Sequence, residues 1–203
     1  MAWTNIKGME RPTLSEGGKL PVLTNFVAFY ERMPTTVKPT PPTHGQLLER
    51  AIRLAAKVHK GQVDRFGQPF ILHIMRVITH AKDPDERLLA AIHDVLERSE
   101  LTIADLREKE MPEHVLVALT HISRVPDEDY DGYIDRVAQN QLATRVKVID
   151  LADKMDLRDV GQLSVADLKR YNKQLAAYER LKHLSTIIKA EMTLSAQSRK
   201  LKA

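Results

Sequence analysis

The sequence predicts an all-α protein, on three observations. From Thr43 onward, apolar residues recur at intervals of three and four, the spacing that gathers them on one helix face. A strong helix-start signal, "DPDE" at 83–86, precedes one of these runs. No segment alternates apolar and polar residues as a half-buried strand does.

Taken in order, residues 1–42 read as an N-terminal extension. "KGMERPTLSEGGKLP" and "MPTTVKPTPPT" are rich in Pro, Gly and Thr and are expected to be loop or linker, with one short helix in "VLTNFVAFYERM" between them. The main domain is expected over 43–190. It begins with a helix over about 44–60, whose stripe carries Leu48, Ile52, Ala55 or Ala56, and His59. The loop "GQVDRFGQPF" follows, then a helix in "ILHIMRVITHA". In the next helix Asp83 caps, Pro84 takes the first helical position and Glu86 completes a capping box. This helix is expected to carry "LLAAIHDVLERSE", residues 88–100. Shorter helices are expected at 102–109, 112–123 and 129–139, and a longer one at 141–157. A last helix, about 164–190, has Leu168, Tyr171, Leu175, Tyr178, Leu181 and Ile188 at helical spacing; a basic tail, 191–203, ends the chain. There is no internal repeat.

Composition narrows the function classes. At 203 residues the chain is long enough for one domain with a substantial core, and 43% apolar with 29% charged residues is a globular profile. No apolar run is long enough to span a bilayer, and the N-terminus lacks the basic and apolar regions of a secretory signal. Cysteine is absent, so disulfides and thiolate metal sites are excluded, and a cytoplasmic home is the simplest expectation. The formal charge of +4 is mild. It suits an anionic small molecule, and no DNA- or RNA-binding module is recognisable. Oligomeric state is not readable.

The stretch at 88–100 poses the chemical question. A helix that needed only a packed face would do better with Leu or Ala than with His93. Asp94 is its neighbour, and Glu97, four residues after His93, is expected to share their face. Two further ligands would complete a cage for a metal ion. His73 stands in "QPFILHIMRV", with apolar residues on both sides. Asp150 shares a stripe with Ala143, Val146 and Leu157, where a lone carboxylate is costly to bury unless paired or bound to a cation. Asp153 is its rival in the same helix, on a more polar face. Two imidazoles and two carboxylates suit Mn²⁺, Fe²⁺ or Zn²⁺, any of which would acidify a water and polarise a phosphoryl oxygen. Spacing by itself leaves this cage and a set of ordinary core and surface residues both open.

Three segments in series, "AAKVHKGQVDRFGQPFILHIMRV", "AAIHDVLERS" and "RVKVIDLADKMDL", resemble the HD-type hydrolase domain of RelA/SpoT homologues, nearest to stand-alone small alarmone hydrolases. The resemblance covers about residues 45–185. It implies an all-helical HD-domain bundle that removes the 3′-pyrophosphate of (p)ppGpp with Mn²⁺. It also implies His73, His93, Asp94 and Asp150 as metal ligands, Glu97 as the residue that orients or activates water, and a structural role for His59. Three departures stand out. Arg98 replaces the Asp of "HDxxED" and would bind phosphate or pair with Asp94 or Glu97. Lys154 replaces an Asn that contacts the nucleotide in the family. The basic pair before the loop glycine is reduced to Asp64-Arg65, leaving Arg65 to meet a base or phosphate. The metal positions are kept while the substrate side is altered, so an adenosine alarmone such as (p)ppApp rivals ppGpp. Two further alternatives are another HD phosphohydrolase of 5′-nucleotidase type and a nucleotide-binding protein impaired in turnover by Arg98.

Overall fold

The computed structural model describes residues 41–158 and 160–201, with side chains described as far as Ile187. The expected loops and short helix of the N-terminal extension, the Ile188 position and the side chains of the basic tail lie outside the described residues. Among those described there are eight helices and no strand: α1 (His44–Val58), α2 (Phe70–His80), α3 (Pro84–Ile92), α4 (Ile103–Glu108), α5 (Glu113–Ile122), α6 (Tyr130–Ala138), α7 (Gln141–Lys154) and α8 (Val165–Leu201). The all-α expectation is borne out. A single bridge, Val63 with Pro69, pinches the loop between α1 and α2.

Local chemistry sets most helix starts. Thr43, Asp83 and Thr102 each close a capping box, with Gln46, Glu86 and Asp105 as the reciprocal partners. Each such cap contributes about 1 kcal/mol by satisfying amides that have no partner within the helix. α1 ends at His59, and Gly61 at φ +76° turns the chain through a conformation that a side chain would strain. The Asp64 carboxylate accepts from the backbone N–H groups of Phe66 and Gln68 and shapes the loop that leads into α2.

α3 is the hub. α1, α2, α5 and α7 all pack on it. Leu88, Leu89, Ala90, Ala91 and Ile92 are all fully buried, so the second half of the helix has no solvent face and is apolar all round, while Pro84 and Arg87 in its first half are exposed. Each enclosed Leu or Ile contributes roughly 1.5–3 kcal/mol, and the two alanines let neighbouring backbones approach. Glu86 joins this hub to α7: it completes the cap of α3 and accepts from Arg145 Nε at 2.6 Å.

Three stripes differ from expectation. On α1 the buried line is Leu47, Ala51 and Ala55, while Leu48 and Ile52 are only partly buried and Ala56 is exposed. On α7, Ala143, Val146 and Asp150 are buried as expected, but Leu157 lies beyond the helix end. On α8, among the described side chains, burial is confined to Ala177 and Leu181, whereas Leu168 and Leu175 are exposed. The long helix docks on α6 and α7 only where they reach it, so periodicity continues past the contact. It also runs beyond residue 190 to Leu201, through a stretch free of Gly and Pro. No helix of the described residues is long and apolar enough to cross a membrane.

Candidate metal centre

α3 stops one residue short of the pair it was expected to carry. His93 is its C-cap, and residues 93–97 form an irregular turn in which Val95 N–H bonds back to Ile92 O. The reason is visible in the side chain. His93 Nδ1–H donates to the Ala90 carbonyl at 2.8 Å, one of the last-turn acceptors that a helix end leaves without an internal partner. The turn rolls both His93 and Asp94 into the core, where they are 2% and 6% exposed.

His73 comes from the inward face of α2. Its Nδ1–H donates to Asp153 Oδ2 at 2.6 Å, and Asp153 is also gripped by Arg76 through Nε at 2.6 Å and Nη2 at 3.0 Å. Asp150 comes from α7, with its carboxylate fully enclosed. These elements bring the four predicted ligands together. Asp150 Oδ1 lies 3.1 Å from His73 Nε2 and 3.4 Å from His93 Nε2. Asp94 Oδ2 lies 3.3 Å from His93 Nε2 and 3.7 Å from His73 Nε2. Ligand atoms about 2.1 Å from one ion, at right angles across it, stand roughly 3 Å apart. The ligand atoms of His73, His93 and Asp94 all lie within 4.8 Å of one another.

The hydrogen bonding fits a cation. Both histidines commit Nδ1–H to an acceptor, which directs the Nε2 lone pair of each neutral ring inward. His73 Nε2 and His93 Nε2 are buried without a hydrogen-bond partner, and Asp150 Oδ1, at ion-pair distance from both, has the Lys154 ammonium 2.7 Å away. Three converging acceptors of this kind call for a shared cation or proton. Burial works to lower the His93 pKa, but the Asp94 and Asp150 carboxylates outweigh it and raise the group to about 10. Burial likewise works to raise Asp94 and Asp150. His93 and Lys154 hold Asp94 well below the usual carboxylate range, and Lys147 and Lys154 do the same for Asp150.

Two lysines flank Asp150. Lys147 Nζ donates to Oδ2 at 2.9 Å and lies 5.0 Å from the Tyr133 ring centroid. Lys154 Nζ lies 2.7 Å from Oδ1, an ion pair on the oxygen that faces the histidines. Asp153, set aside as the rival of Asp150, instead fixes His73 from behind. Lys147, Arg76 and this role of Asp153 were not read from the sequence. A signal was present: each lies three residues from a ligand on the same helix, Lys147 before Asp150, Asp153 after it, and Arg76 after His73.

The remaining site residues lie around the cage. Glu97 is exposed and accepts from the Arg124 backbone N–H at 2.8 Å. Arg98 forms no ion pair with Asp94 or Glu97 among the described residues; its guanidinium lies 3.6 Å from the Phe70 ring centroid. His59, Phe70, His73 and His93 follow as a chain of ring contacts with centroids 5.0, 5.3 and 5.4 Å apart. His59 is held by Gln62, and burial lowers its pKa. Arg65 pairs with Asp167 at 3.3 Å, and its guanidinium lies over Phe66. A cleft of about 420 Å³ opens beside the cage, lined by Arg65, Phe66, Phe70, His73, Arg76 and Lys154 among others. Its wall carries four cationic side chains, Arg158 being the fourth, against three carboxylates. A larger groove, about 650 Å³, lies against α1 and α4 and includes none of the four ligands.

No family model matches the chain. It is 24% identical over 123 residues to the guanosine-3′,5′-bis(diphosphate) 3′-pyrophosphohydrolase of Aquifex aeolicus (strain VF5), a match covering 57% of this chain and 18% of that protein. The chain therefore spans less than a fifth of that relative's length. Among solved structures it is similar to a metazoan ortholog of SpoT that hydrolyses ppGpp and plays a role in starvation responses. That likeness has a TM-score of 0.59 at 17% identity and covers 72% of this chain and 93% of the other. The chain has the fold of that hydrolase. The all-α fold implied by the three segments is thus borne out, as is their resemblance to (p)ppGpp hydrolase domains.

Proposed function

We propose that the chain is a metal-dependent phosphohydrolase that removes the 3′-pyrophosphate from a nucleotide alarmone, (p)ppGpp or (p)ppApp, in the cytoplasm. One observation carries the reading: two buried imidazole Nε2 atoms and two buried carboxylates converge at metal-ligand spacing beside a cationic cleft. The activities of the Aquifex protein and the metazoan SpoT ortholog agree with it.

His73, His93, Asp94 and Asp150 would hold the ion, Mn²⁺ first, with Fe²⁺ and Zn²⁺ also suited to the donor set. The ion would supply Lewis acidity to the phosphoryl group and lower the pKa of a water. Asp153 and the Ala90 carbonyl keep both imidazoles in the tautomer that presents Nε2. Glu97, at the exposed turn after the pair, would orient the attacking water. Arg98, its guanidinium over the Phe70 ring, would keep N–H groups for a phosphate, and Arg65 and Lys154 would neutralise the nucleotide. Water attacks the phosphorus next to the ribose, the bond from that phosphorus to the 3′ oxygen breaks, and the 3′ oxygen leaves as a hydroxyl once protonated. The products are pyrophosphate and a nucleotide with a free 3′-OH.

The test is incubation with Mn²⁺ and, separately, ppGpp, ppApp and a panel of deoxynucleoside monophosphates. Pyrophosphate released from an alarmone, lost in His93→Ala, supports the reading; orthophosphate released from the monophosphates points to a 5′-nucleotidase. A second reading, a nucleotide binder impaired in turnover, is favoured by Arg98, which places no carboxylate beside the cage. It prevails if Mn²⁺ and nucleotide bind without cleavage and Arg98→Asp restores cleavage.

A further inference from the structure

Asp150 is held by two lysines in unlike ways. Lys147 is closed in, 10% exposed, and takes Oδ2, the oxygen turned away from the histidines. Lys154 is 31% exposed and takes Oδ1, the oxygen that both histidine Nε2 atoms face. A divalent ion in the cage would use that oxygen and would meet the Lys154 ammonium at close range. Two positive centres a few ångströms apart repel strongly in so enclosed a place. Lys147 has no open side to move toward. Lys154 does: it sits in the last turn of α7, on a flexible four-carbon stem, and lines the cleft beside the cage.

We propose that Lys154 is a displaceable counter-cation of the metal centre, holding Asp150 Oδ1 when no divalent ion is bound, yielding it to the ion, and then facing the cleft to receive an anion. The inference rests on the metal reading above and adds a coupling to it. Metal loading would free an ammonium for an anionic ligand, and an anion in the cleft would draw Lys154 off the metal's oxygen, so each would favour the other.

The test is a Mn²⁺ titration of the full chain, following free Mn²⁺ by electron paramagnetic resonance, in wild type, Lys154→Met and His93→Ala. Lys154→Met is expected to bind Mn²⁺ about tenfold more tightly or better, because the competing charge is gone. After treatment with EDTA it is expected to melt below wild type, because Asp150 has lost a partner. Lys154→Gln, which keeps a polar side chain, is run alongside and carries the comparison if the Met variant does not fold. At matched ionic strength, sulfate is expected to tighten Mn²⁺ binding to wild type and not to Lys154→Met. Equal or weaker Mn²⁺ binding in both Lys154 variants overturns the counter-cation while leaving the metal centre standing. An equal sulfate response in wild type and variant overturns the coupling. No Mn²⁺ binding in wild type or in either Lys154 variant, or binding that survives in His93→Ala, refutes the metal centre itself and the inference with it.

Discussion

Asp153→Asn isolates the residue behind His73, a proposed metal ligand. The carboxylate is 8% exposed and receives His73 Nδ1–H at 2.6 Å on one oxygen while Arg76 bridges both. Asparagine keeps the shape but offers one acceptor and no charge. It can serve His73 or Arg76, and if its amide nitrogen turns toward the ring it favours the wrong tautomer. Loss of such an orienting partner typically costs about 10–100-fold in metal affinity. The stability cost should be smaller in proportion, about 1–3 kcal/mol for the buried hydrogen bond. The Arg76 half of the arrangement matters little to stability, because Arg76 is 46% exposed and water replaces its partner. The assay is Mn²⁺ competition against a chelator of known affinity, with Arg76→Ala as control. Asp153→Asn should bind at least tenfold more weakly, and Arg76→Ala should fall only slightly. If Asp153→Asn binds Mn²⁺ as tightly as wild type, His73 is not oriented by Asp153 and the account of the cage is wrong.

Three further outcomes follow from the same geometry. In metal-free protein the His93 pKa is raised to about 10, above its ordinary value of 6.5, so its contribution to stability is complete below 6.5 and is lost as pH rises through about 10. EDTA-treated protein should therefore melt progressively lower from pH 7 to pH 10, while Mn²⁺-loaded protein, where the ion replaces the proton, should change much less; parallel curves would contradict this. Lys147→Met leaves the fully buried Asp150 without its enclosed partner and should cost about 3–5 kcal/mol in chemical denaturation, as breaking a buried pair from one side does. A cost below 1 kcal/mol would show that Lys147 is not the fixed partner of Asp150. Asp83→Ala removes the cap of α3 and should cost about 1 kcal/mol of stability with little change in Mn²⁺ affinity; a large loss of affinity would mean that the cage depends on the start of that helix as well as its end.

Much of the fold was legible in the sequence because its signals are local. The cap at Asp83, Pro84 and Glu86 needs only four adjacent residues, and α3 begins where they place it. The metal candidates were legible because His73 and Asp150 are polar residues on apolar stripes, which demand a reason for burial. What was missed depends on partners far away in the chain. Asp153 looked like part of a polar face until α2 set His73 Nδ1 and Arg76 against it. Nothing adjacent to Lys147 in the sequence signals its burial, yet Asp150 and Tyr133 enclose it. The end of α3 was missed because an imidazole that bonds back to its own helix leaves no trace in periodicity. On α8 the periodicity was true and the burial was not, because a pattern of side chains does not say how far the neighbouring helices extend.

The enclosure of α3 also bears on the order in which the molecule comes apart. Its amides are screened by four other helices, so they should exchange with solvent deuterium only when the whole domain opens, whereas the exposed stretches of α8 exchange through small local excursions. His93 and Asp94 sit at the end of that slowest segment. A domain losing its outer turns would keep the proposed ion pocket to the last, and release of an ion held there would mark the moment the interior itself gives way.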